Sequence, residues 1–201
     1  MGSLPRLFEI RTSVRYIMVR SFTLRNRVMD DELPTAYQEV VSMDTMVHPL
    51  SQAVESLHEE IFKAVEPLGD AEINWVHPQL SNTIGILLRH VAGSERYWIG
   101  EVVGGRAMHR KRETEFTHEP LTKTPLVENL RRAHSQVQEV LRSLSASDLA
   151  SLVDVQSQDG MRQHTKAWAI LHSIQHTSYH LGQIQLFKKM ATTAQTAGGR
   201  T

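Results

Sequence analysis

The sequence predicts an all-α fold, an antiparallel four-helix bundle. Three observations predict it. Four segments carry apolar residues every three or four positions, Pro, Gly, Asn and Thr punctuate the gaps between them, and no stretch alternates convincingly as a strand would. There is no internal repeat at a fixed period.

The first helix is expected from about His48 to Val65. Leu50, Val54, Leu57, Ile61 and Val65 form its core stripe, and Pro67 and Gly69 end it. A loop leads to Asn82, the expected N-cap of a second helix reaching about Val103. Its stripe includes Ile84, Leu87, Leu88, Val91, Trp98 and Val102, and Gly104-Gly105 stop it. The stretch RAMHRKRETEFTHEPLTK (106–123) reads as a long, polar, exposed connection. Thr124 is the expected cap of a third helix with Pro125 at its first position. Leu126, Leu130, Ala133, Val137, Val140, Leu141 and Leu144 supply that helix's apolar face. After a less regular stretch from about Ser147 to His164, Thr165 opens a fourth helix reaching about Met190. The bundle domain is thus expected over residues 43–192, with a disordered tail over 193–201.

Residues 1–42 differ in composition, with six arginines between Arg6 and Arg27 against the single acid Glu9. A transit-type segment or a basic surface helix fits this pattern. We read it as an extension without chemistry of its own, with Met43 or Met46 near the functional start.

Composition narrows the chemistry. Lys and Arg number 22, as do Asp and Glu, so the net charge is zero and gives no support for nucleic-acid binding. No apolar run approaches the roughly 18 residues that span a bilayer, so no membrane partner is expected. Cysteine is absent, which excludes disulfides, thiolate-bound zinc and a thiol nucleophile from the chain itself, and accords with a cytoplasmic location.

The chemically informative segment is AWAILHSIQHTSYHLGQIQLFKKM, with His172, His176 and His180 four residues apart. Residues four apart share a helix face, so two such imidazoles can grip one ion. His172 and His180 are about 12 Å apart along the axis and cannot both bind it. The pair is therefore 172 with 176 or 176 with 180, completed by a ligand from another helix. His90, inside the second helix among apolar residues, is the best candidate.

NTIGILLRHVAGSERYWIG followed by HTSYHLGQI resembles the DinB-like superfamily of four-helix metalloproteins, which includes YfiT-like and mycothiol-dependent maleylpyruvate isomerase-type proteins. The resemblance spans about residues 46–190. It implies a divalent metal held by His90, His176 and His180, and a homodimer. Imidazole also suits iron and copper, but zinc and nickel lead. Gly182 is expected to admit a neighbouring helix, and Gln183 either anchors a ligand's outer nitrogen or faces solvent. His172 is expected to be a plain helix residue or a partner of a ligand. Glu95 is turned away from His90's face, and Tyr97 and Tyr179 line a pocket or simply pack. His77, His109, His118, His134 and His164 are expected at the surface. Each ligating ring needs an acceptor for its other N–H, and sequence does not identify these acceptors.

Two functional readings follow. In the first, the chain is a metal-dependent enzyme acting on a small molecule. The resemblance implies that its reaction is transfer from a low-molecular-weight thiol cofactor or, as a close variant, metal-assisted hydrolysis. In the second, it is a non-catalytic, metal-stabilised bundle with a stress-response or interaction role.

Overall fold

In the computed structural model, residues 46–157 and 159–198 are described. The arginine-rich segment and the proposed start at Met43 lie outside them, as do residues 199–201. Helix α1 spans Val47–Val65, and a single turn, α2, spans Asp70–Ile73. Helix α3 spans Ile84–Glu95 and continues without a break as a π-helix over Arg96–Val103. A 3-10 turn at Arg112–Phe116 interrupts the crossover to α4, Lys123–Ser143. A short helix α5, Ala146–Leu149, precedes a hairpin of β1, Leu152–Ser157, and β2, Gly160–Thr165. Helix α6, Lys166–Gly198, closes the order.

Helices α1 and α3 each pack on both α4 and α6. At one end, Ile61, Leu87, Leu88, Leu130 and Ile184 meet in one apolar cluster. At the other end, Val54, Ile99, Val137, Leu141 and Ile170 meet in a second. The order in which each helix visits the two clusters gives its direction. Helices α1 and α6 run one way, and α3 and α4 run the other. Within the antiparallel bundle, α3 and α4 are therefore parallel neighbours, which requires a crossover long enough to return the chain to the starting end.

Several local expectations are corrected. The α3 cap is Thr83, whose Oγ1 accepts from the Ile86 backbone N–H at 3.1 Å, rather than Asn82. Helix α4 begins at Lys123, one residue before the expected Thr124 cap, and Pro125 is its third residue. Its first amide donates to Asp70 Oδ1 at 2.8 Å. The Lys123 ammonium donates to the carbonyls of Glu66 and Leu68 at the end of α1, where a cation suits the helix dipole. The irregular stretch after Ser147 holds the hairpin, in which Val153 faces His164 and Val155 faces Arg162. Gly160 there takes φ 112°. Helix α6 opens as expected at Thr165, whose Oγ1 accepts from Trp168 N at 3.2 Å. It runs past Met190 to Gly198. The Gly104-Gly105 stop also holds, with Gly105 in the left-handed region at φ 65°. No helix among the described residues is long and apolar enough to cross a membrane.

Candidate metal centre

Helix α3 turns His90 into the core, and α6 presents His176 and His180 one turn apart on the face that packs against it. The three rings converge. His176 Nε2 lies 3.0 Å from His90 Nε2 and 3.1 Å from His180 Nε2. His90 and His180 are 5 % and 8 % exposed, while His176 is half-buried. His172, the other candidate partner for His176, is outside the cluster. Its ring is stacked on Trp168 and tilted against Trp98.

The outer nitrogens decide what the inner ones can do. His90 Nδ1–H donates to Glu115 Oε2 at 2.8 Å, because a carboxylate can only accept. His180 Nδ1–H donates to Gln183 Oε1 at 2.7 Å, and the Gln183 amide donates in turn to the Tyr179 hydroxyl at 3.2 Å. With their protons outward, neutral His90 and His180 both aim bare Nε2 lone pairs inward. A neutral His176 can give one proton at most, so at least one lone pair faces a neighbouring nitrogen without a donor. His176 Nδ1 is also buried without a partner. Two nitrogens bound to one ion at about 2.0–2.1 Å stand roughly 3.3 Å apart at a tetrahedral angle, close to the separations seen here. Three converging soft-to-borderline donors with their outer atoms tied back fit a divalent metal.

The electrostatics agree. Burial first, then the neighbouring His180 and His90, lower the His176 pKa to about 3, so this ring stays neutral and available as a ligand. Burial likewise lowers His180, against the opposing hydrogen bond to Gln183. For Glu115, burial pushes the pKa up, but the hydrogen bonds and charges of Arg110 and His90 outweigh it and hold the carboxyl below its usual range.

Glu115 is the functional residue that sequence reading missed. It lies in the stretch expected to be polar and exposed, yet it is only 5 % exposed. Arg110 grips it with two hydrogen bonds, Nε to Oε1 at 2.7 Å and Nη2 to Oε2 at 2.8 Å. Next to it, Phe116 packs on the His90 ring at 4.8 Å between centroids. Gly93, one turn beyond His90 along α3, leaves the space the carboxylate occupies, and a Cβ there would overlap it. Gly182, by contrast, faces open space, so the expected close helix approach is absent. Tyr179 is largely exposed, and Tyr97 lies under the Arg110 guanidinium.

A second polar group crosses the core from α1 through α3 to α6. His58 Nε2 donates to Glu95 Oε2 at 2.7 Å, and Thr177 Oγ1 donates to Glu95 Oε1 at 2.8 Å. Glu95 thus stays apart from the three imidazoles, as expected. His134, expected at the surface, is half-buried against His58 with 4.2 Å between ring centroids and donates to Glu55 at 2.9 Å. His164 and His77 are also half-buried, the former stacked on Trp168, whereas His109 and His118 are exposed.

Burial, then the His58 charge, lower the His134 pKa against the opposing Glu55 carboxylate. Unfolded, this imidazole protonates near its ordinary value of about 6.5. Folded, it does so only at lower pH. Its contribution to stability is therefore intact above about pH 6.5 and is lost as pH falls below that value, where the unfolded chain takes the proton first. The free energy of urea unfolding should drop between about pH 7 and pH 5, and His134→Gln should flatten that slope. An equally steep slope in the variant contradicts this account.

Comparison with known proteins places these features in a family. The family model of the DinB superfamily matches residues 53–184. A solved structure of a conserved protein from Enterococcus faecalis shares the fold, with a TM-score of 0.56 at 14 % identity, covering 74 % of this chain and 98 % of that one. A search among curated proteins finds no match. The matched span holds His90, the crossover with Glu115, and both His176 and His180; by that match, the chain belongs to the DinB superfamily.

Proposed function

We propose that this chain is a divalent-metal-dependent enzyme acting on a small molecule, with His90, His176 and His180 as the metal's ligands. The observation that supports it best is the convergence of three Nε2 atoms whose rings are fixed from behind, by Glu115 on His90 and by Gln183 on His180. Three neutral ligands leave an ion its full charge and an open position, the pattern of catalytic rather than structural sites. Zinc or nickel is the proposed ion, which would supply Lewis acidity, lowering the pKa of a thiol or of water and polarising a carbonyl.

The chain's own residues divide the remaining work. Glu115 keeps the His90 proton on Nδ1 and its Nε2 free, and Gln183 does the same for His180. Arg110 holds Glu115 ionised. A cavity of about 620 Å³ lined by Tyr97, Glu101, Arg110 and Arg112 shares Arg110 with the bracket behind His90 and falls in the size range of small-ligand sites. The proposed reaction is transfer from a low-molecular-weight thiol to an electrophile, with hydrolysis as the close variant. A non-catalytic role has its own support, since an ion held between α3 and α6 would staple the two helices.

Elemental analysis of protein purified without added metal or a metal-leaching column tests the first step. About one equivalent of zinc or nickel is expected. Protein that holds no ion even after incubation with zinc overturns the reading. The loaded protein is then screened with electrophiles and several small thiols. Turnover lost on chelation supports the enzyme, whereas a large drop in melting temperature without any turnover supports the staple.

A further inference from the structure

We infer that a second site, separate from the three imidazoles, binds a small oxyanion such as a phosphate or a carboxylate group. It is the cavity of about 300 Å³ between α3, the crossover and α4, walled by Arg89, Arg96, Arg110, Lys111, Glu115 and Asn129. Four cations face one carboxylate there, in a chain whose net charge is zero. The charge is therefore a local concentration rather than a reflection of general basicity. The other acids of the crossover, Glu113 and Glu119, are not part of the wall.

Glu115 cannot balance this charge, because it is already held by Arg110 and His90. The remaining cations hydrogen-bond only to neutral groups among the described residues, and Glu95 acts on Arg96 through charge alone. Arg89 donates from Nε to the Glu115 carbonyl at 2.9 Å and from Nη2 to the Thr117 carbonyl at 2.7 Å. Arg96 donates from Nε to Gln136 Oε1 at 2.9 Å, and from Nη2 to the Asn129 carbonyl at 3.0 Å and its Oδ1 at 2.9 Å. These bonds lock both guanidinium planes without neutralising them, and neither Nη1 takes part in a hydrogen bond among the described residues. Lys111 forms no ion pair among them and is exposed at the rim.

Clamping backbone carbonyls explains two nitrogens of Arg89, but it does not explain why four cations share a pocket with no free anion. Arg96 is the clearest case, since burial and then the charge of Arg132 disfavour its protonated form and outweigh the opposing Glu95 carboxylate. An oxyanion would relieve that repulsion. Each guanidinium keeps its Nη1 N–H groups to donate to a phosphate or carboxylate oxygen, and because the planes are already held by their other nitrogens little ordering is needed on binding.

This site does not depend on a metal, so the test uses the full chain after chelation, when no ion can itself take the anion. Inorganic phosphate, succinate and chloride are titrated separately at constant ionic strength, followed by calorimetry and by amide shifts around Gly93. Saturable one-site binding of phosphate or succinate is expected, and which of the two binds tells a tetrahedral oxyanion from a carboxylate. Arg96→Gln should weaken it at least about tenfold, and Lys111→Gln several-fold. Arg106→Gln, whose guanidinium pairs with Glu139 away from the cavity, should leave it unchanged. If Arg96→Gln does not fold, Arg96→Lys and the exposed Lys111→Gln decide the matter. The inference is overturned if neither anion saturates, if chloride binds equally well, or if the folded Arg96 and Lys111 variants bind like the parent.

Discussion

Replacing His176 with alanine is expected to remove metal retention, lowering affinity by more than about a hundredfold while α6 remains helical. The ring supplies the nitrogen that both other imidazoles approach, at 3.0 and 3.1 Å. Loss of a residue that only hydrogen-bonds a ligand's outer nitrogen costs about 10–100-fold, so loss of the central ligand should exceed that. His172 cannot take over, because its ring is held against Trp98 and Trp168. Alanine is the best helix former, so the fold should survive. Metal content after exhaustive dialysis, with circular dichroism as the folding control, provides the check. His172→Ala should keep its ion. A His176→Ala protein still carrying stoichiometric metal would sink the proposed ligand set.

Gly93→Ala is expected to be the most damaging of the small substitutions. In an ordinary exposed helix, glycine to alanine stabilises by about 1 kcal/mol. At Gly93 the new methyl group would occupy the place of the Glu115 carboxylate, which would have to leave both Arg110 and His90. Breaking a buried pair costs about 3–5 kcal/mol, so the loss outweighs the helix gain and a net cost of about 2–4 kcal/mol follows. Metal affinity should fall about 10–100-fold at the same time, because the His90 ring is no longer oriented. Gly182→Ala is the matched control, with open space around it, and should be neutral to slightly stabilising. Denaturant melts and metal titrations of the two variants test this. Equal behaviour of the two would contradict the role given to Glu115.

The helices were legible in the sequence because burial imposes a period. Leu126, Leu130, Ala133, Val137 and Leu141 recur at three- and four-residue steps, and all are buried in α4. His90 stood out by its place among apolar residues, while spacing left His172 with His176 and His176 with His180 equally open until the resemblance chose the second. Glu115 was not, because its partner lies 25 residues away and nothing periodic joins them. Phe116, an aromatic residue in a run of charges, was the available hint. His58 was a missed reading of another kind, since it falls between Val54 and Ile61 on α1's buried stripe and pattern alone could have placed it. The shift from α to π hydrogen bonding after Glu95 leaves no mark in the order of residue types. At the α3 cap, Asn82 and Thr83 are both capable residues. The choice between them depends on which side chain reaches the Ile86 amide, and composition does not encode that.

The crossover between α3 and α4 has a consequence for anyone reshaping this protein. It is the strap that lets two neighbouring helices point the same way, and through Glu115 and Arg110 it is also the bracket that aims His90. Trimming it to a minimal linker would therefore deform topology and chemistry in one stroke. Grafting a foreign loop of equal length would preserve the first and lose the second. Here the connector is a working part, and its length and its carboxylate have to be kept together.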